Sequence, residues 1–272
     1  MPELPEVETV VRRLREHAPS LLGRTVRSVE IAWPREVQGI DSERFVAQVN
    51  GSHVQAVRRH GKNIMIDLAK RGYSGTMFVH LKMSGRLDVV PEAEARSKHA
   101  RVIWHLDQGL ALRFDDARKF GRVWLPDHPD LILSKLGPDA LTMSEQEFIE
   151  RLLARRGALK PILLDQTFIA GVGNIYADES LHRAKLHPQR IAATLERSDA
   201  KRLHKIVQSV LNEGIAANGA SFDWVYPDGN FQSNFRVYGQ TGKPCANCGN
   251  PIERILVGQR STHFCPHCQR VS

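Results

Sequence analysis

The sequence predicts an α+β multi-domain protein, in which an N-terminal helix leads into an all-β domain, a helical domain and a small terminal module. Three observations carry this prediction. Short β-type runs punctuated by Gly, Asn and Asp fill residues 25–125. Helical periodicity takes over after the stretch PDHPD at 126–130. All four cysteines fall within the last 28 residues. The expected division is 1–130, 131–218 and 219–272.

The first helix is expected over 5–18. Val7, Val10, Val11 and Leu14 recur at i, i+3, i+4 and i+7, and Pro5 suits a first helical position. Strands are expected at 25–32, 53–58, 63–68, 76–81, 102–106, 110–114 and 121–125, at the spacing of a sandwich or barrel. Helices are expected at 144–155, 158–165, 174–184 and 198–218. The last of these places Leu203, Ile206, Val207, Val210 and Leu211 on one stripe. The chain then becomes Gly-rich and polar before the cysteines.

Composition excludes several classes. With 42% hydrophobic and 25% charged residues among 272, the chain is neither disordered nor collagen-like. No run of 18 apolar residues offers a membrane span. The opening MPELPEVETV is acidic where a signal peptide would be basic, so a cytoplasmic protein is expected. The net charge of +8 suits a polyanionic partner. That charge is evenly spread: residues 1–130 carry 21 basic and 17 acidic groups, and residues 131–272 carry 17 and 13. Any nucleic-acid surface must therefore be assembled by the fold from scattered Lys and Arg.

The cysteines form two CxxC pairs, Cys245/Cys248 and Cys265/Cys268, separated by 16 residues. This spacing gives four thiolates tetrahedral reach around one structural Zn²⁺. The other reading is a pair of disulfides, which a CxxC loop strains and a chain without a secretion signal disfavours. Residues 251–257 and 261–264 read as two strands, with Gly258, Gln259 and Arg260 at the hairpin tip.

At the amino terminus, loss of Met1 would leave Pro2 with a free secondary amine of pKa near 7.7–8.0, nucleophilic at neutral pH. Its attack on an aldehyde-like carbon gives an iminium that has no N–H to lose. Glu3 and Glu6 could then move protons. The competing reading is structural, with Pro5 starting a helix whose positive end Glu3, Glu6 and Glu8 complement.

Taken together, PELPEVET at 2–9, RRHGK at 58–62, HLKMSG at 80–85, DARKFG at 116–121, LLDQTFIAGVGNIYADE at 163–179 and the cysteine module resemble formamidopyrimidine-DNA glycosylase. These motifs span the whole chain in the family's order. The resemblance implies a β-sandwich domain, a helix–two-turns–helix motif over 159–184 and a zinc-ribbon hairpin. It implies a bifunctional glycosylase and AP lyase, with Pro2 as nucleophile, Glu3 as acid/base group, Glu6 in support and Lys62 holding phosphate beside the lesion. Met83, Arg118 and Phe120 match side chains that fill the hole left by a flipped base. His80, Lys160, Asn174, Tyr176 and Arg260 match phosphate contacts. The helix opening at Asn174 is expected to receive a phosphate on its free N–H groups. The implied partner is duplex DNA carrying oxidised bases, bound by a monomer on the bacterial nucleoid.

Lys82 departs from the family pattern by replacing the glycine usual before the methionine. Lys119 replaces a second Arg, Gln240 replaces a basic residue after VYG, and GASFDWVYP at 219–227 differs from the usual opening of the loop over the flipped base. An endonuclease VIII-like enzyme for oxidised pyrimidines is the nearest alternative, which PELPEVET and the Met83/Arg118/Phe120 set argue against. The other alternative is a non-catalytic, zinc-dependent binder of damaged DNA.

Overall fold

The protein is described by a computed structural model covering residues 1–221 and 229–271. The greater part of the divergent loop at 219–227 lies outside these residues. Two compact units emerge, one comprising Met1–Pro2 and Glu6–Lys135, the other Glu3–Pro5, Leu136–Ser221 and 229–271. Where three divisions were expected, the terminal module clusters with the helical residues. The first helix, α1 (Leu4–Glu16), begins in one unit and continues in the other.

In the β unit, α1 is followed by β1 (Val26–Ile31), β2 (Val37–Gln38), α2 (Ser42–Val49) and β3 (His53–His60). Next come β4 (Asn63–Lys70), β5 (Tyr73–His80), β6 (Gly85–Pro91), β7 (Ala100–Leu106), β8 (Leu110–Asp116), β9 (Arg122–Trp124) and α3 (Asp130–Leu133). The strands form two sheets, ordered β1-β7-β8-β6 and β2-β9-β5-β4-β3. Among the described residues of this unit, the strand pairings are antiparallel except β2 with β9. Val7, Val10, Val11 and Leu14 join one core with Ile66, Val79, Leu87, Trp104 and Phe114, so the helical stripe read from sequence is the face that packs on the strands. β2, β6, α2 and α3 were not expected. β2 has only two residues. The Gly and Pro at the ends of β6 read as loop punctuation, although its register against β8 runs from Gly85↔Asp116 to Pro91↔Leu110. The signal for α2 was Asp41, whose Oδ1 accepts the N–H of Arg44 as an N-cap.

The helical unit holds α4 (Glu145–Leu153), α5 (Leu159–Leu164), α6 (Asn174–Arg183), α7 (Arg197–Ala216), β10 (Glu253–Val257) and β11 (Arg260–Phe264). Ser144 caps α4 by accepting the N–H of Glu147. Leu203, Val207, Val210 and Leu211 of α7 pack with Phe168, Ile175, Tyr176, Leu181 and Phe231. The ring of Tyr176 lies parallel to Phe231 at 5.1 Å between centroids. Gly214 makes room for it, since a Cβ there would meet the Tyr176 hydroxyl at 2.7 Å. Among the described residues no helix is long and apolar enough to cross a membrane.

Glu36 is an unusual buried acid in the β unit. It ends a short 3-10 turn and is fully buried, with Arg122 3.7 Å from its Oε2. Among the described residues neither carboxyl oxygen accepts a hydrogen bond. Burial first, and the charge of Asp116 second, push its carboxyl up from the usual 4.5 to about 7. The folded state therefore keeps a proton that the unfolded chain releases. Stability should fall as pH rises from about 4.5 to about 7 and level off above that. Glu36→Gln should remove this slope, leaving stability unchanged at pH 4 and raising it at pH 8 by on the order of 1 kcal/mol, a figure reduced for screening by solvent. Urea midpoints at the two pH values would show it.

Candidate active site and nucleic-acid surface

In the helical unit, the amino terminus is tied to the two-turn segment before α6. Leu4 donates its N–H to the Gly171 carbonyl at 3.1 Å. The Glu3 carboxylate lies at the first turn of α6, where Oε1 accepts the N–H of Ile175 at 2.9 Å and Oε2 that of Tyr176 at 3.4 Å. The protein's own carboxylate thus satisfies two of the N–H groups left free by helix geometry at this helix start. Two glycines permit the approach. Gly171 has φ +115°, and a Cβ on it would strike Leu4. Gly173 has ordinary extended backbone, but a Cβ on it would lie 2.6 Å from Glu3 Oε2. Gln166, which the sequence reading passed over, shapes the turns by accepting from Gly171 N and donating to the carbonyls of Leu164 and Val172.

The expected phosphate ligands divide between surface and interior. Arg260 is exposed beside the two-residue turn Gly258–Gln259, whose φ values of +56° and +60° make the tight hairpin that pairs Val257 with Arg260. Asn174 is half-buried and donates Nδ2 to the Ser261 carbonyl at 3.1 Å. Lys160 is placed otherwise. It is 0% exposed, its ammonium pairs with Asp178 Oδ1 at 2.6 Å, and it donates to Ser261 O and Thr262 Oγ1, both at 2.8 Å. With three protons and three internal partners, it has no donor to spare for phosphate in this arrangement. Tyr176 is likewise a core residue, packed on Phe231. A tyrosine not singled out from sequence, Tyr238, is half-buried with its hydroxyl on the Asn174 side chain. Its only sequence signal was its place in VYG.

Two adjacent acids on α6 hold other segments. Asp178 Oδ2 accepts the N–H of His263 at 2.9 Å, binding α6 to β11. Glu179, fully buried, accepts the N–H groups of Arg236, Val237 and Tyr238 at 2.9–3.1 Å. Burial pushes its carboxyl up, partly offset by those three donors.

The cysteines come together at the foot of the hairpin. All four Sγ atoms lie within 4.8 Å of one another, with Cys248–Cys265 at 3.4 Å and Cys245–Cys268 at 3.9 Å. Zn–S bonds of about 2.3 Å in a tetrahedron require edges of about 3.8 Å, so the set fits one Zn²⁺. None of the four is in a disulfide. His182 of α6 sets Nε2 3.4 Å from Cys245 Sγ.

In the β unit, Pro2 and Glu6 are buried. Lys62, also buried, occupies the two-residue turn between β3 and β4, after Gly61 with φ +56°. Arg59 steadies that turn by donating to the Gly61 carbonyl and pairing with Glu8 of α1, both at 3.0 Å. His80 ends β5 beside Asn63 in register. Burial, then the cations Lys82 and Lys62, lower its pKa to about 3, so the ring is neutral at physiological pH. Its Nδ1 accepts the Lys82 N–H at 3.0 Å, which assigns the hydrogen to Nε2 and leaves His80 a neutral donor.

Met83 and Phe120 are each 45% exposed, and Arg118 is exposed with its guanidinium 5.0 Å from the Phe120 ring centroid. Lys82 (φ +53°) and Lys119 (φ +58°) hold left-handed backbone immediately before Met83 and Phe120. A glycine at position 82 would take that conformation freely; a lysine costs roughly 1 kcal/mol there.

Residues 1–123 match the family model for the formamidopyrimidine-DNA glycosylase N-terminal domain, 136–224 its H2TH domain, and 242–271 the zinc finger found in FPG and IleRS. The chain is 41% identical to formamidopyrimidine-DNA glycosylase of Pelotomaculum thermopropionicum, covering all of both chains. Among solved structures it is similar to Lactococcus lactis Fpg (MutM) bound to DNA containing N7-benzyl-Fapy-dG, at 34% identity and TM-score 0.90, over 99% of this chain and 100% of that one. It is similar also to the same protein bound to DNA containing an oxidised pyrimidine, at 34% identity and TM-score 0.89 with the same coverage.

Gly173→Ala should push the Glu3 carboxylate off α6, lowering stability by about 2 kcal/mol in thermal melts; unchanged melting would mean that Glu3 does not depend on this close approach. Chelating zinc should strip amide-exchange protection from β10 and β11 while sparing α7. Retained protection would show that the hairpin stands without metal.

Proposed function

This chain belongs to the formamidopyrimidine-DNA glycosylase family, and from that premise we propose that it excises oxidised purines, 8-oxoguanine and formamidopyrimidines, from duplex DNA and cleaves the resulting abasic site. The observation that carries the reading is the clamp on Glu3. A carboxylate held by two backbone N–H groups at a helix start supports a fixed acid/base group one residue from the nucleophile Pro2. The reading requires loss of Met1, because an acylated Pro2 nitrogen is an amide whose lone pair is delocalised.

The free secondary amine attacks C1′ of the damaged nucleotide as the base leaves with the electrons of the glycosidic bond. Glu3 takes the proton that the amine loses and donates it to the sugar-ring oxygen, whose bond to C1′ breaks as the nitrogen lone pair forms the iminium. Having no N–H to lose, this cation acidifies C2′–H, whose proton passes to the Glu3 carboxylate as its electrons move toward the iminium. β-elimination then expels the 3′ phosphate and δ-elimination the 5′ phosphate, leaving a one-nucleoside gap.

Lys62 and neutral His80 in the β unit, and Asn174 and Arg260 in the helical unit, supply phosphate contacts. Lys160 and Tyr176 act from within by shaping the surface that Asn174 and Arg260 present. Met83 and Phe120 wedge into the hole left by the flipped base, and Arg118 addresses its widowed partner. Cys245, Cys248, Cys265 and Cys268 hold one structural zinc, which stabilises the hairpin carrying Arg260. The enzyme works as a monomer in the bacterial cytoplasm, on the nucleoid.

The Lactococcus lactis complex with an oxidised pyrimidine makes relative rates the deciding quantity. Borohydride should trap wild type covalently on damaged duplex, and Pro2→Gly should lower the trapped fraction about tenfold or more. No wild-type adduct would remove the Schiff-base mechanism. Excision should be faster on 8-oxoguanine opposite cytosine than on thymine glycol; the reverse order would make this a pyrimidine enzyme.

A further inference from the structure

Within the β unit, the residues proposed to fill the hole come from two separate turns. Met83 lies between β5 and β6, and Arg118 and Phe120 lie between β8 and β9. Asp116, the last residue of β8, is fully buried and directs its carboxylate at both turns. Oδ1 accepts the Ser84 hydroxyl from the first turn and the Arg118 N–H, at 3.1 Å, from the second. Oδ2 accepts the N–H of Gly121 at 2.7 Å, closing the second turn around Phe120. The Arg118 N–H also reaches Ser84 Oγ at 3.1 Å, so hydroxyl, carboxylate and amide form a closed triangle.

The carboxylate is itself held by its backbone. Asp116 donates its N–H to His99 O at 2.9 Å, and Arg101 Nε donates to Asp116 O at 2.7 Å. Gly85 stands opposite Asp116 in the β6–β8 register. Gly85 also donates to Leu81 O at 2.9 Å, closing the Met83 turn, and a Cβ there would meet that carbonyl oxygen at 2.5 Å.

Exposed Met83, Arg118 and Phe120 would otherwise sample many orientations, and ordering them only when DNA arrives would weaken binding by the entropy of that ordering. From this geometry we infer that Ser84 and Asp116 are positioning residues, a clasp that joins the two turns and presents the three hole-filling side chains together before DNA binds. The inference rests on the function proposed above. The clasp acts on holding the opened duplex and leaves the covalent chemistry alone.

The experiment compares borohydride trapping rates on one abasic site presented in a duplex and in a single strand, where there is no partner base and no stack to hold open. Ser84→Ala and Asp116→Asn should each slow duplex trapping about tenfold, as expected for loss of a charge-assisted hydrogen bond, while single-strand trapping stays at the wild-type rate. Ser84→Thr keeps the hydroxyl and should restore the duplex rate. Asp116→Asn presents an amide where Gly121 N–H needs an acceptor, so amide exchange at Gly121 and Arg118 should quicken independently of activity. Should Asp116→Asn fail to fold, Ser84→Ala, which leaves the carboxylate and both amide bonds in place, carries the comparison. Equal slowing on both substrates, or no slowing on either, would overturn the clasp. A wild type that forms no adduct on duplex would instead remove the proposed function and leave the exchange result to judge the clasp.

Discussion

A carboxylate at the first turn of α6 organises the helical unit. Glu3 accepts the N–H groups of Ile175 and Tyr176, and Leu4 next to it bonds Gly171, so one side chain and one backbone amide both anchor this segment to fixed backbone groups. Helix geometry supplies the donors and the glycines supply the clearance. The chemistry proposed for Pro2 depends on this, because a nucleophile on a frayed terminus would lose the benefit of a fixed neighbouring acid.

The same helix carries the next two constraints. Asp178 is paired with Lys160 and bonded to His263, and Glu179 gathers three consecutive N–H groups at 236–238. Buried ions of this kind add little net stability, since desolvation offsets their attraction, but removing one partner strands the other. Their effect is specificity of placement. The hairpin that bears Arg260 has one seat on α6, and the zinc thiolates close its other end. Both units follow a common plan, in which buried carboxylates bind backbone amides and leave cations and apolar side chains exposed at the turns. Asp116 does for Met83, Arg118 and Phe120 what Asp178 does for the segment beginning at Arg260.

Much of this was legible beforehand where a local signal existed. The α1 stripe, the α7 stripe, the hairpin turn and the cysteine pairs each have their cause within a few residues. β6 was missed because its glycine and proline have another local meaning, and α2 because its eight residues span little more than two turns behind a single cap. Lys160 and Tyr176 were expected at phosphate, yet both are interior. Nothing near Lys160 in sequence reveals Asp178, Ser261 and Thr262 as its partners, the last two about a hundred residues away. The lysines at 82 and 119 stood out as departures from the expected pattern, and both hold positive φ, a conformation that glycine takes freely.

What the sequence determined by itself is the chemistry available: a proline that can become a free amine, acids beside it, four thiolates at metal spacing, and an even spread of cations. These are properties of side-chain type and short spacing, which survive without a fold. Only the tertiary structure decided which cations face outward and which are consumed inside, that Glu3 bonds the first turn of α6, and that Ser84 and Asp116 join two distant turns. Those outcomes depend on desolvation and on the pairing of groups far apart in the chain, and neither exists until the backbone has folded.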